Sequence, residues 1–117
     1  MRILIATHSI DWGGSARSLR ILVRYLAARH ELSIVTLIPP RQDRPMAADY
    51  AALGVPVHLF EWGWLPVSYK GCAVPERDQD ARCEAMRPRI PEFKALAKEA
   101  DILLFNGYPA LSLAALA

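Results

Sequence analysis

The segment His8-Ser9-Ile10-Asp11-Trp12-Gly13-Gly14-Ser15 gathers an imidazole, a carboxylate and two hydroxyls beside paired glycines. Residues without a Cβ let backbone N–H groups come close to a ligand. A helix that starts at such a point turns the positive end of its dipole toward an anion. That is half of a phosphate-binding loop. A plain tight turn ahead of a helix would use the same glycines, and residue types alone do not separate the two readings. Other nucleotide and phosphate patterns are excluded. G-x-G-x-x-G is absent, and the run Val35-Thr36-Leu37-Ile38 offers no acidic residue to hold a ribose. G-x-x-x-x-G-K-[ST] is absent as well. A phospho-receiver site needs acidic residues after the first strand, where Thr7 and His8 stand, and an Asp after the third, where Glu61 stands.

A second group of side chains lies in Phe60-Glu61-Trp62-Gly63-Trp64, followed by Tyr69. Aromatic faces stack on the C–H faces of sugars and cover lipid chains; a lid packed over a sheet edge would use them equally well. His58 alternates with Val57 and Leu59, which makes it a strand histidine rather than a ligand. Cys72 and Cys83 have no metal-ligand pattern around them, since C-x-x-C and H-E-x-x-H are absent, and they are read as reduced thiols. Arg17, Arg20 and Arg24 recur at helical spacing, as a solvated face or as a contact for anionic head groups.

The elements that must position these groups follow from periodicity. Residues 2–6 are a short apolar run, the signature of a buried parallel strand, and residues 7–14 are a loop. Residues 15–30 predict an amphipathic helix, with Leu19, Leu22, Val23 and Leu26 on one face. Residues 31–37 predict a second strand, stopped by Pro39-Pro40. Residues 45–53 predict a short helix with Gly54 as its C′ residue. Residues 55–60 are a third strand and 61–87 a long irregular stretch. Residues 88–100 hold another helix starting near Pro91, 102–105 a fourth strand, and Asn106-Gly107-Tyr108-Pro109 a turn before a last helix. Alternating strands and helices imply an α/β fold, a Rossmann-like parallel sheet with flanking helices. Ligands of such sheets bind beyond the carboxyl ends of the strands.

Composition sets the outer limits. The chain has 117 residues, 53% of them apolar, enough for one packed domain. Fourteen Lys and Arg against twelve Asp and Glu give +2, with no polybasic run, so nucleic acid is not an expected partner. No apolar stretch approaches a membrane span, and the start does not read as a signal peptide, so the default location is cytoplasmic. The last residues read as the opening of a helix, so the chain is read as the front part of something longer.

At this point the residues resemble a family. Met1-Arg-Ile-Leu-Ile-Ala6, then Asp11-Trp-Gly-Gly-Ser-Ala-Arg17, then Leu26-Ala-Ala-Arg-His30 and Leu32-Ser-Ile-Val-Thr36 resemble the start of GT-B glycosyltransferases of the family-4 type. Gly54-Val-Pro-Val57 and Ala100-Asp-Ile-Leu-Leu104 stand where that family has later strands. The resemblance implies the acceptor-side domain of a two-domain enzyme, its donor domain lying outside these residues. The partners implied are a nucleotide-sugar donor as co-substrate and a glycan or lipid-carrier acceptor, with no cofactor and no metal. Peripheral contact with the inner membrane surface stays open. Gly13 and Gly14 match the turn that approaches the donor phosphates, and Arg17 matches the arginine after it. Ala16 departs from the usual acidic residue. Leu104 and Asn106 fall where members often carry histidines; Asn106 can hydrogen-bond a sugar but cannot shuttle a proton. His8, Asp11, Ser15, Trp62, Trp64 and Tyr69 are the remaining candidate acceptor or sugar contacts. Glu84 and Glu92 have the family's E-x7-E spacing in the wrong domain and are read as coincidence. The alternatives are a non-catalytic Rossmann-like binding module or one chain of a split enzyme.

Overall fold

Each long strand of this protein is apolar almost throughout, which demands cover on both faces. In the computed structural model β1 (Arg2–Thr7) is buried at every position after the first, and β2 (Glu31–Thr36) nearly so. The structure describes residues 1–11, 13–37, 46–60 and 87–106, with backbone only for 13–15. Two further strands, β3 (Val57–Leu59) and β4 (Ile102–Asn106), complete an all-parallel sheet in the order β3-β2-β1-β4. The helices are α1 (Gly13–Ala27), α2 (Met46–Ala52) and α3 (Ile90–Glu99), the last preceded by a 3-10 turn over Arg87–Arg89. The fold is α/β and Rossmann-like.

Strand alternation sorts the core into two layers. Ile3, Ile5, Leu32 and Ile34 meet Leu19 and Val23 of α1 and Tyr50 of α2. Leu4, Ala6 and Val35 face the other way and meet Phe93 of α3, together with Phe60. The Phe60 and Phe93 rings pack edge to face, centroids 6.2 Å apart, and the Arg89 guanidinium caps Phe60 at 4.4 Å. The chain steps from β1 out to β3 and then jumps back past β2 and β1 to β4. That reversal explains why α3 covers the face opposite α1 and α2.

Most element boundaries shift by a residue or more from the sequence expectation, and four of the differences have a plain physical reason. First, α1 opens at Gly13, not Ser15, so both glycines form its first turn rather than a loop; first-turn N–H groups have no intrahelical partners in any case. It also ends earlier than residue 30, at Ala27, where the N–H groups of Arg29 and His30 both donate to the Leu26 carbonyl. Next, β3 spans three residues rather than 55–60, because Val55 closes the end of α2. Finally, Asn106 is not a turn residue. It ends β4 in register with Thr7, and pairing overrides its turn preference. The expected last helix, the expected irregular stretch 61–87 and the expected turn 106–109 lie wholly or partly outside the described residues.

The end of α2 is a complete Schellman motif. Gly54 N–H donates to Ala51 O at 2.9 Å and Val55 N–H to Tyr50 O at 2.9 Å, with Gly54 at φ +76°. Nothing lies within 4 Å of a Cβ placed on Gly54, so only the backbone conformation demands glycine there. Gly54→Ala is expected to lower stability by about 1 kcal/mol, and Gly54→Asn by less. Chemical denaturation of the three proteins measures this; equal midpoints for glycine and alanine would remove the left-handed cap from the account.

Candidate functional site

Three parallel strands end level with one another. Thr36 pairs with Thr7, and Thr7 with Asn106, so three polar side chains stand in one row across the carboxyl edge. By strand alternation the row is on the α1 side of the sheet. Thr7 and Thr36 are fully buried. Buried hydroxyls must be satisfied, and these are. Asn106 Nδ2 donates to Thr7 Oγ1 at 3.2 Å, and that hydroxyl donates to the Ser9 carbonyl at 3.0 Å. Thr36 Oγ1 donates to the His8 carbonyl at 3.4 Å. The chain from Asn106 through Thr7 to Ser9 fastens the end of β4 to the loop after β1.

That loop is held at its other end too. Ser9 Oγ accepts from the Asp11 N–H at 3.2 Å, a local turn made by a hydroxyl. The Asp11 carboxylate accepts from the N–H of Met46 at 3.3 Å and so caps α2. Ile10 between them is buried in the α1-side core. The loop is anchored by side chains on both flanks and by an apolar plug in the middle, and it delivers the chain to the start of α1 at Gly13.

The strand order reverses between β1 and β4, which is where open α/β sheets leave a crevice for ligands. The N-terminus of α1 follows directly on β1 at this point. Its first turn carries no acidic side chain, so nothing in it opposes an anion. His8 is half-buried, and burial holds its imidazole below the ordinary value near 6.5, hence neutral at pH 7. Among the described residues no group of three or more His, Cys, Asp or Glu could hold a metal ion.

His8, Asp11 and Asn106 are thus brought to one edge with the start of α1. Arg17 is not; it is exposed on the side of α1 opposite Leu19 and Val23. The side chain of Ser15, and Trp62, Trp64 and Tyr69 entirely, lie outside what is described. Glu92 sits on the surface of α3 and pairs with Arg89 at 3.1 Å, a local contact. His58 is a half-buried residue of β3. It lines a cleft of about 530 Å³ with Ser33, Leu96 and Glu99, which extends to the strand beginnings at Arg2 and Glu31, away from the carboxyl edge. Sequence reasoning missed Thr7 and Thr36 as a pair. Each follows an apolar run, but only the register sets them side by side.

Comparison of the chain with family models, curated proteins and solved structures gives no match.

Two measurements probe this edge. Thr7→Val keeps the shape and removes both hydrogen bonds of the hydroxyl. It is expected to cost about 1–3 kcal/mol by denaturant unfolding; a loss below a few tenths would show that the Asn106–Thr7–Ser9 chain holds nothing. For His8, a folded pKa below 6.5 means that the unfolded chain takes up its proton first. The stability it contributes is full above pH 6.5 and is lost as pH falls through that value toward the folded pKa. His8→Gln is therefore expected to flatten the stability profile as pH falls below about 6.5. Parallel profiles for the two proteins would contradict it.

Proposed function

We propose that this chain forms the acceptor-side half of a glycosyltransferase that moves a sugar from a nucleotide-sugar donor to an acceptor hydroxyl. The observation that carries the reading is the start of α1 at Gly13-Gly14, directly after the β1 end of the strand-order reversal and with no carboxylate in its first turn. A diphosphate leaving group is the species that such a helix end stabilises. The glycines present amides without a Cβ in the way. Thr36 and Leu37 after β2 offer no carboxylate to a ribose diol, which weighs against a dinucleotide in the same crevice.

In the proposed transfer the acceptor oxygen forms a bond to the anomeric carbon as the bond from that carbon to the diphosphate oxygen breaks. The electron pair leaves on the diphosphate, and the hydroxyl proton passes to a base. His8, neutral through burial, is the described side chain at this edge with the right form to take it. Asn106 cannot do so. Its amide, anchored on Thr7, is assigned a positioning role for the sugar. The nucleotide of the donor is assigned to a second domain outside this chain.

The test is an amide-resolved NMR titration of the 117-residue chain with pyrophosphate and with UDP. Shifts are expected at Gly13, Gly14 and the rest of the first turn of α1, and Gly14→Val is expected to weaken binding about tenfold. Shifts confined to other surfaces would overturn the phosphate assignment. The chain alone is expected to transfer no radiolabelled sugar from UDP-glucose, UDP-N-acetylglucosamine or GDP-mannose to water or a simple alcohol. Turnover by it would overturn the division into two domains.

A further inference from the structure

The strand order puts β3 at one edge of the sheet, and none of its residues is fully buried. Its parallel register fixes which backbone groups are used. The Pro56 carbonyl accepts from the Ile34 N–H at 2.9 Å, and the Phe60 N–H donates to the Thr36 carbonyl at 2.9 Å. Residues 56, 58 and 60 therefore turn their main-chain groups toward β2. By alternation the N–H and C=O groups of Val57 and Leu59 point the other way, and among the described residues nothing pairs with them. That edge offers two donors and two acceptors to another strand.

A groove flanks this edge on each face of the sheet. On the α3 face it is the cleft of about 530 Å³, with Ser33 and His58 contributed by the strands and Leu96, Glu99 and Ala100 by α3. The cleft exists because α3 packs over β1, and no described helix covers β3 on that face. On the α2 face a second groove, of about 470 Å³, is lined by Ala47 and Ala51 of α2 with Val55 and Val57. Gly54 and Pro56 line both. The two differ in chemistry. Every side chain lining the α2-side groove is apolar. In the α3-side cleft Arg2 is paired with Glu31 at 3.3 Å, which leaves the Glu99 carboxylate as the unbalanced charge among the lining residues. Glu99 is also the last residue of α3, at the negative end of that helix.

Open main-chain groups between grooves on both faces fit an added strand, because its side chains alternate between the faces. A small molecule in the cleft would leave the edge groups and the α2-side groove unused. A second copy pairing β3 with β3 would bring Val57, His58 and Leu59, with no fixed cation for Glu99. We propose that the open edge of β3 binds an extended peptide segment of a partner protein, with a basic side chain entering the cleft beside Glu99 and apolar side chains entering the groove beside Ala47 and Ala51. β3 is three residues long, so few main-chain bonds form and the two grooves set the specificity. The inference is independent of the transfer reaction proposed above. It uses the lateral edge of the sheet, whereas Thr7, Thr36 and Asn106 stand at the carboxyl ends of the strands.

The experiment is an amide-resolved NMR titration of the chain at about 50 mM salt. The probes are a blocked heptapeptide of alternating valine and lysine, its valine–glutamate counterpart, and the valine–lysine peptide with every backbone nitrogen methylated. Binding is expected for the first alone, with shifts and slowed hydrogen exchange at the Val57 and Leu59 amides. Val57→Pro removes an outward N–H at the first residue of a strand, where proline is tolerated, and is expected to weaken binding about fivefold. Glu99→Lys is expected to weaken it about tenfold and to admit the valine–glutamate peptide. Ala51→Phe fills the α2-side groove from an exposed position and is expected to weaken binding at least as much. Circular dichroism should report an unchanged fold for each variant. No binding of the valine–lysine peptide, or equal binding of its methylated form, would overturn the proposal. Binding that Val57→Pro and Ala51→Phe leave unchanged would assign the cleft to a free cation and overturn the added strand. A dimer of the free chain with the same two amides protected would give the edge to a second copy and overturn it as well.

Discussion

The middle strand β1 is hydrogen-bonded on both sides, and both pairings are parallel. Parallel neighbours cannot be joined by a tight turn; each connection has to leave the sheet, cross a face and come back. The continuous apolar runs of β1 and β2 require both faces to be covered, so the crossings must be divided between them. The chain meets this by building outward through β2 and β3 under α1 and α2, then returning to the far side of β1 under α3. The reversal of strand order at β1 and β4 is a by-product of that solution. It arises from the need for apolar cover, before any ligand is considered.

The same end of the sheet is where apolar burial stops and polar burial begins. Thr7, Ser9 and Thr36 are all essentially inaccessible to water, yet each has its hydrogen bonds made within the fold. Such a fully satisfied network resists rearrangement, because each bond broken leaves a buried polar group behind. Rigidity of this kind suits the base of a binding crevice. The one buried side-chain hydroxyl among the described residues without a partner is that of Tyr50 on α2, within the charge field of Arg20, Asp11 and Asp49. Burial raises its pKa, as expected for a phenol kept neutral by its surroundings.

Much of the architecture can be read from local pattern, and much of the site cannot. Short apolar runs and helical apolar spacing locate all four described strands and all three helices, because both report burial. Gly54 is legible because a positive φ at a helix end leaves few other residues to choose. Boundaries are less so: Val55 looks like a strand residue until its N–H is seen closing α2. Asn106-Gly107 has the composition of a turn, yet Asn106 is held in the sheet by a strand almost a chain length away. Asp11 reads as a loop carboxylate available to an acceptor, and its cap on α2 depends on a helix that begins 35 residues later. The bond of Val55 to Tyr50 is local, but the contacts of Asn106 and Asp11 are long-range ones that no window of neighbouring residues contains.

The bond between Asn106 and Thr7 joins residues 99 positions apart. Contacts of such separation carry the largest loop-closure cost and form late relative to local ones. During synthesis, β1, α1 and β2 emerge and can pair while β4 is still unmade, leaving one flank of β1 open. The carboxyl edge of the sheet lacks its β4 side until the ribosome has passed residue 106. Sheet edges left waiting in this way are prone to mispairing with other chains. Assembly of this protein is thus ordered in time by its topology: β1, α1 and β2 can form early, and the row of Thr36, Thr7 and Asn106 is completed only once β4 has been made.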